Sequence, residues 1–119
     1  MTMTPLDLVA SAKKNIKEIQ AQDALQLIGQ ELVLDVREPQ EYAAGRLPGA
    51  INIPRGVLEF QIGNHPQLGT AQNKPILVYC LSGGRSALAV EALQKLGFNG
   101  AVSLAGGFKS WVDAGHPTE

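Results

Sequence analysis

PILVYCLSGGRSALAVEALQKLG, residues 75–97, is an apolar run that passes through a glycine-containing turn into a second, helical pattern. The run that ends at Cys80 is apolar at consecutive positions, as expected of a strand buried on both faces of a parallel sheet. Beyond the turn, apolar residues recur every three or four positions until Gly97. They are Ala87, Val90, Leu93 and Leu96. The stretch therefore predicts a buried strand, a tight turn and a helix.

Strand and helix patterns alternate in both directions from this stretch. The predicted helices cover 5–15, 23–28, 39–44, 55–62, 86–96 and 107–114, and the predicted strands cover 16–19, 32–36, 50–53, 75–80 and 101–104. Residues 63–74 are polar and rich in turn formers, which predicts a loop. Alternating strands and helices are typical of an α/β domain with a mainly parallel sheet.

Composition restricts the function and the setting. The chain has 119 residues, 45% of them hydrophobic, and a formal net charge of -1. It therefore fits one domain, and its charge balance argues against nucleic acid or an anionic membrane as a partner. We see neither a signal peptide nor a run of about 20 apolar residues, so we expect a cytoplasmic protein. A single cysteine excludes an internal disulfide, and with His65 and His116 far apart it predicts no metal site and no cofactor.

Cys80 is the last residue of the predicted buried strand, and a glycine-containing turn and a helix follow it. Ligands of α/β sheets collect at the carboxyl ends of strands, and free N–H groups at a helix N-terminus favour an anion. Gly83 and Gly84 allow successive N–H groups to point inward, and Arg85 adds a permanent cation. Two interpretations follow from the residues: a thiolate stabilised for chemistry, or a small core residue at a strand end.

Three segments together resemble the signatures of the rhodanese family. The first is LDVRE at 34–38, continued by EY at 41–42 and GRLPGAINIP at 45–54; the second is CLSGGRS at 80–86; the third is LAGG at 104–107 with Trp111 and GHP at 115–117. Their order and spacing agree from about residue 16 to residue 117. The chain thus resembles a single-domain rhodanese-like sulfurtransferase, with a helix at 1–15 and the domain at 16–119.

The resemblance implies a fold and a reaction. The fold is a five-stranded, mainly parallel sheet with helices on both faces. In the reaction, Cys80 takes the outer sulfur of a donor such as thiosulfate as a persulfide. It then passes that sulfur to cyanide in an assay, or to a thiol or a protein in cells. N–H groups of the loop would cradle the sulfur. The loop residues are Leu81, Ser82, Gly83, Gly84, Arg85 and Ser86.

Several supporting residues have both a functional and a structural interpretation. By resemblance, Asp35 and Arg37 help to hold the active loop; the alternative is that Arg37 pairs with Glu38 or Glu41 as ordinary structure. Gly106 and Gly107 are predicted to make a tight turn beside the pocket. The remaining two positions are Trp111, predicted to be a core anchor, and Arg46, which stands where relatives often have histidine.

Two other function classes stay open. One is a non-catalytic binding or regulatory module, since some rhodanese domains act only as scaffolds. The other is a phosphatase or arsenate reductase, whose related loop is one residue longer than the loop from Cys80 to Arg85. A carrier that receives persulfide from a protein is a variant of the first function. Because Leu81 and Ser82 are uncharged, only Arg85 could attract a dianionic donor, which predicts weak thiosulfate binding and a KM that rises with salt.

Overall fold

The computed structural model describes residues 2–119, and Met1 of the predicted N-terminal segment lies outside them. The helices are α1 (Pro5–Lys13), α2 (Ala21–Ala24), α3 (Pro39–Ala44), α4 (Leu58–Gln61), α5 (Gly84–Lys95) and α6 (Gly107–Asp113). The strands are β1 (Glu18–Ile19), β2 (Leu32–Asp35), β3 (Ile51–Asn52), β4 (Ile76–Tyr79) and β5 (Ala101–Leu104). Single 3-10 turns lie at Leu25–Leu27, Arg55–Val57 and Ile62–Asn64. Among these residues, no helix combines the length and the apolar character that a membrane crossing requires.

The five strands form one sheet in the order β1-β5-β4-β2-β3, and every pairing within it is parallel. The central strand β4 pairs with β2 from Leu32 opposite Ile76 to Asp35 opposite Tyr79. All four residues of β4 are buried, which explains its unbroken apolar sequence. The predicted α/β fold with a five-stranded parallel sheet is confirmed.

Helices cover both faces of the sheet, as predicted. On one face, Leu34 and Val78 pack in a cluster with Leu93 of α5 and Leu58 of α4. On the other face, the cluster contains these buried residues: Val33, Leu77, Tyr79, Leu104 and Trp111. Alternate residues of each strand therefore enter opposite cores.

Three predicted helices differ in type or in starting residue from those observed. The helix predicted at 23–28 is instead an α-helical turn at Ala21–Ala24 followed by a 3-10 turn at Leu25–Leu27. The helix predicted at 55–62 is instead a 3-10 turn, one α-helical turn and a second 3-10 turn. Gly56 and the β-branched Val57 weaken the helix there. Helix α5 begins two residues earlier than predicted because Gly83 adopts a left-handed conformation, with φ of 104°, and serves as its N-cap.

Helix α1 begins where the sequence predicts it and lies beside α5. The Thr4 side chain accepts a hydrogen bond from the N–H of Asp7, and the Asp7 carboxylate accepts one from Thr4, which is a complete capping box. Val9 lies against Gly84, since a Cβ on that glycine would be 3.6 Å from Val9 Cγ2. The N-terminal helix therefore packs next to the start of α5.

Candidate active site

Cys80 lies at the point where the connections of two neighbouring strands diverge. It follows the last residue of β4, while Val36 and Arg37 follow β2 beside it. Helix α5 leaves β4 over one face, where Val90 joins the first core cluster, and α3 leaves β2 over the other, where Tyr42 packs on the second cluster. Such a divergence opens a crevice at the carboxyl ends of parallel strands, which is the usual place for a ligand in an α/β sheet.

Two backbone N–H groups of the loop point at the sulfur of Cys80. The N–H of Gly83 lies 3.1 Å from Sγ, and the N–H of Ser86 lies 3.3 Å from it. Ser86 is the third residue of α5, so its N–H has no partner within the helix and is free to donate to the sulfur. The curled backbone predicted from Gly83 and Gly84 thus brings two of the loop amides to the thiol.

A pair of buried hydroxyl groups continues from the sulfur into the interior. Sγ of Cys80 lies 3.5 Å from Oγ of Ser86, which lies 2.9 Å from Oγ of Ser103 on β5. Both serines are fully buried. Ser86 is among the predicted loop residues, whereas Ser103 is not; its one signal in the sequence is a polar side chain within an apolar strand pattern.

The first turn of α6 holds the outer side of the loop. The N–H of Phe108 donates to the carbonyl of Cys80 at 2.8 Å, and the N–H of Lys109 donates to the carbonyl of Leu81 at 3.0 Å. Gly107, with φ of 60°, makes this approach possible because a Cβ there would lie 2.6 Å from the Cys80 carbonyl oxygen. The carbonyls are therefore drawn away from the sulfur, and Gly106 and Gly107 form the tight turn that the sequence predicts.

The sulfur lies at the floor of the loop. Cys80 is 1% exposed, whereas Leu81 is 44% exposed and Ser82 is also exposed. A reagent must therefore enter between the loop and its neighbours to reach the thiol.

Arg85 does not stand free beside the loop. Its two terminal nitrogens donate to the two carboxylate oxygens of Glu41, at 2.8 and 3.1 Å. Hydrogen bonds from Arg85 lower the pKa of Glu41 to about 2, and those same bonds raise the pKa of Arg85. Both groups therefore stay charged near neutral pH. Glu41 belongs to the first of the three segments that resemble the rhodanese family, but its contact with Arg85, 44 residues away, was not predicted from the sequence.

Asp35 and Arg37 form a closed, buried cluster with Tyr79. Arg37 Nη2 lies 2.7 Å from Asp35 Oδ2, and the hydroxyl of Tyr79 donates to the same oxygen at 2.8 Å. The second predicted interpretation, in which Arg37 pairs with Glu38 or Glu41, is wrong. Arg37 turns back to the end of its own strand because Asp35 is buried there and accepts its backbone N–H as well.

The environment of this cluster keeps Arg37 charged and Tyr79 neutral. Burial opposes the charge of Arg37, but the hydrogen bonds and negative charge of Asp35 outweigh it and raise the arginine pKa. Burial, followed by the charge of Asp35, raises the pKa of Tyr79 above its ordinary value. The guanidinium also lies 4.4 Å from the centre of the Phe108 ring. It thus touches the residue whose N–H holds the Cys80 carbonyl.

The remaining predicted residues serve the structure around the site. Trp111 is fully buried, and its indole N–H donates to the carbonyl of Pro117, so it is the core anchor that the sequence predicts. Arg46 lies over the ring of Tyr42 and bonds to its carbonyl. His65 accepts two N–H groups of the following turn through Nδ1.

Comparison with known proteins identifies the family to which this arrangement belongs. Residues 13–114 match the family model described as a Rhodanese-like domain. The chain belongs to the rhodanese-like family. The family match therefore covers most of this chain, including all five strands and the Cys80 loop.

Curated relatives of this rhodanese-like domain include sulfurtransferases. Thiosulfate sulfurtransferase 16, chloroplastic, from Arabidopsis thaliana is 38% identical over 97 residues, covering 72% of this chain and 78% of the relative. Thiosulfate:glutathione sulfurtransferase from Homo sapiens is 31% identical, with coverage of 71% and 82%. The uncharacterized protein slr1261 of Synechocystis is 34% identical over 92% of this chain, which spans 55% of that protein.

A solved structure aligns over the whole of this rhodanese-like domain. It is a protein of unknown function from Rhodopseudomonas palustris, described as a possible tyrosine phosphatase. The alignment has a TM-score of 0.86 at 32% identity and covers 100% of this chain and 96% of the other. It therefore includes helix α1, which lies largely before residue 13, where the family match begins.

Proposed function

We propose that this rhodanese-like domain is a sulfurtransferase in which Cys80 carries a sulfane sulfur as a persulfide. One observation carries the proposal: the N–H groups of Gly83 and Ser86 converge on the sulfur of Cys80. Two donors fixed by the backbone favour a thiolate, and they remain in place to bind a negative persulfide. The relationship to sulfurtransferases supports the same activity.

The reaction proceeds in two displacements. The Cys80 thiolate attacks the outer sulfur of a donor such as thiosulfate; the S–S bond of thiosulfate breaks, a Cys80 persulfide anion forms, and sulfite leaves with the electron pair. In the second step a nucleophile such as cyanide attacks the terminal sulfur. The persulfide S–S bond breaks, thiocyanate leaves and the Cys80 thiolate is restored. A cellular thiol or protein would take the place of cyanide.

The length of the loop disfavours phosphate chemistry. Four residues separate Cys80 from Arg85. The corresponding loop of the phosphatases related to the rhodanese family is one residue longer. In addition, Arg85 already binds a carboxylate with both terminal nitrogens, so those donors are occupied. A tetrahedral oxyanion would have to displace Glu41. The Cys80 persulfide needs no such displacement because its negative charge lies on sulfur, next to the two loop amides.

Intact-mass spectrometry tests this proposal directly. Wild type incubated with thiosulfate or a small persulfide should gain the mass of one sulfur atom and lose it on addition of cyanide. Cys80→Ser should gain nothing. A matched control is the double variant Cys80→Ser/Ser82→Cys, which keeps one thiol in the loop but moves it to an exposed position; it should not be loaded by thiosulfate. Loading of Cys80→Ser, or no loading of wild type by any sulfane donor, would refute the proposal.

One observation favours a non-catalytic binding module instead: Cys80 is 1% exposed. Alkylation separates the two functions. Iodoacetamide at neutral pH should modify Cys80 of the folded sulfurtransferase. After sulfur loading it should alkylate the outer sulfur instead, and a reductant should then remove that sulfur with its alkyl group and restore the thiol. A thiol that reacts only in denaturant, together with no sulfur loading, would assign the domain to the binding class.

A further inference from the structure

Glu41 forms an ion pair with Arg85, which is the one cationic side chain of the Cys80 loop. The pair is bidentate, with the two shortest nitrogen–oxygen distances at 2.8 and 3.1 Å. The side chains of Arg85 and Glu41 are 37% and 29% exposed, so the pair lies at the protein surface beside the loop. A donor that approaches Cys80 therefore meets a neutral pair and not a free guanidinium.

The carboxylate is held in place independently of any donor. Glu41 lies in the first turn of α3, and its Oε1 accepts the N–H of Glu38 at 3.0 Å as well as the bond from Arg85. Pro39 at the first helical position fixes the backbone of this turn. Because the helix cap and the ion pair share one carboxylate, Glu41 cannot leave Arg85 without also losing a capping contact.

Other cations on the elements around the loop are also engaged. Arg37 is buried against Asp35. Lys109, on the helix that holds the Leu81 carbonyl, pairs with Asp113 at 3.0 Å. Arg46 lies over the Tyr42 ring. Leu81 and Ser82, the exposed loop side chains, carry no charge. Of these cations only Arg46 lacks a carboxylate partner, and it is held by the ring and the carbonyl of Tyr42. The loop itself therefore offers a dianion no arginine without a carboxylate partner.

We infer that Glu41 is a specificity-determining residue: by neutralising Arg85, it disfavours the thiosulfate dianion and selects a donor persulfide that carries at most one negative charge. The inference rests on the proposed function and names its donor class. It also predicts a thiosulfate KM that is almost independent of salt, whereas the sequence predicts a KM that rises with salt. The reason is that Arg85, the cation that would attract thiosulfate, is already paired. Leu81 offers such a persulfide an exposed apolar contact next to the sulfur.

The donor step with a persulfide is a simple exchange. The Cys80 thiolate attacks the terminal sulfur of the donor R–S–S–H. The donor S–S bond breaks, a new S–S bond forms to Cys80, and R–S⁻ leaves with the electron pair, while the proton stays on the transferred sulfur. The leaving group bears one charge, whereas sulfite from thiosulfate bears two. The neutral Arg85–Glu41 pair therefore suits the first reaction better than the second.

The test compares two donors in wild type and Glu41→Gln. The donors are thiosulfate and the persulfide of 2-mercaptoethanol, which has no charge apart from that on its sulfur, and the readout is kcat/KM for loading of Cys80. Removal of one negative charge near the donor should raise kcat/KM for thiosulfate by about tenfold, and that for the persulfide by about threefold or less. The thiosulfate KM should be almost independent of salt in wild type and should rise with salt in Glu41→Gln.

Two control variants identify the cause of the change. Glu31→Gln removes the same charge just before β2, at the opposite end of the strands from Cys80. It should leave kcat/KM for both donors unchanged. The double variant Glu41→Gln/Arg85→Met restores a neutral pair of side chains and should return the thiosulfate kcat/KM to within about threefold of wild type. That return would show that the gain came from the released guanidinium.

The outcomes separate this inference from the proposed function. If wild type is loaded by both donors and Glu41→Gln leaves their ratio unchanged, Glu41 does not determine specificity, although the sulfurtransferase stands. A wild type that already prefers thiosulfate, with a KM that rises steeply with salt, overturns the inference as well. If no donor loads wild type, the proposed function itself has failed.

Discussion

Two arginine–carboxylate pairs lie near the same end of the sheet, and they differ in almost every physical respect. Asp35 and Arg37 have side chains 0% and 4% exposed, and Tyr79 and the Gly45 carbonyl complete their hydrogen bonds. Glu41 and Arg85 have side chains about one-third exposed and join two elements across the mouth of the loop. The first pair is closed on itself, and the second faces solvent.

The contrast separates a charged pair buried at the end of β2 from a pair that solvent reaches at the mouth of the loop. A buried pair has lost its hydration, so each partner depends on the other for stability. A half-exposed pair contributes little to stability because water and salt compete with it, yet it sets the charge that an approaching ligand encounters. Disruption of the first pair should therefore be seen mainly in folding, and disruption of the second mainly in substrate choice.

The largest effect should come from Asp35→Asn. It leaves the Arg37 guanidinium buried beside a neutral amide, and the free energy of unfolding should fall by about 3–5 kcal/mol. Urea unfolding at neutral pH measures this change. The double variant Asp35→Asn/Arg37→Met removes both charges and should recover part of the loss. A change below about 1 kcal/mol would mean that the buried pair behaves like a surface pair, and the contrast would fail.

Gly107→Ala should disturb the loop more than the fold. A Cβ at this position would lie 2.5 Å from the Leu81 carbonyl oxygen and 2.6 Å from that of Cys80, so the loop must move. A displacement of this kind should reduce the rate of sulfur loading by about tenfold or more. Gly115→Ala is the matched control: Gly115 has a similar φ of 78°, but nothing lies within 4 Å of its added Cβ. Equal loading rates in the two variants would exclude a role for the α6 contact.

Ser103→Ala tests the buried hydroxyl pair and should have a smaller effect. The only hydrogen-bond partner of the Ser103 hydroxyl within residues 2–119 is Ser86 Oγ. The Cys80 thiol donates to Ser86 Oγ. A thiolate sulfur can only accept, so in the thiolate state the Ser86 hydroxyl donates to it and accepts from Ser103. Loss of this arrangement should slow sulfur loading several-fold, up to about tenfold, with about 1 kcal/mol lost from the free energy of unfolding. Ser103→Thr keeps the hydroxyl and should recover the rate; unchanged loading in Ser103→Ala would contradict the prediction.

The sequence predicts the centre of this site because its determinants are local. The apolar run of β4 is typical of a buried strand, and Gly83 lets the chain turn with a left-handed φ directly before α5. The position of Cys80 and the approach of the Ser86 N–H therefore follow from neighbouring residues. Even here the sequence predicts the start of α5 two residues too late, since the local pattern does not indicate that Gly83 is the left-handed N-cap.

The charged partners around the site could not be predicted in the same way. Arg85 and Glu41 are 44 residues apart, and their contact depends on how α3 packs beside the loop. Arg37 has acidic residues on both sides in sequence, and the choice of Asp35 follows from its burial at the end of β2. Local patterns thus specify the backbone of the site, whereas the tertiary fold specifies the electrostatics.

The smallest effect concerns the stability that the exposed pair contributes and its dependence on pH. Hydrogen bonds from Arg85 lower the pKa of Glu41 from 4.5 to about 2. A carboxyl group whose folded pKa is lowered stabilises the fold above its unfolded pKa, and this contribution disappears as the pH falls from about 4.5 to about 2. Because the pair is about one-third exposed, the contribution should be below about 1 kcal/mol.

The difference in the free energy of unfolding between wild type and Glu41→Gln isolates the contribution of this pair from that of the other acids of the chain. Urea unfolding should show wild type slightly more stable at pH 7, and the difference should shrink progressively at pH 4 and pH 3. In an Arg85→Met background the same substitution should show a weaker trend, because only the N–H of Glu38 then donates to the carboxylate. A loss of stability that is as large in the Arg85→Met background as in wild type would mean that Glu41 acts through the α3 cap, where Glu38 donates to it. The contrast between the two pairs would then lie in helix capping and not in the ion pair.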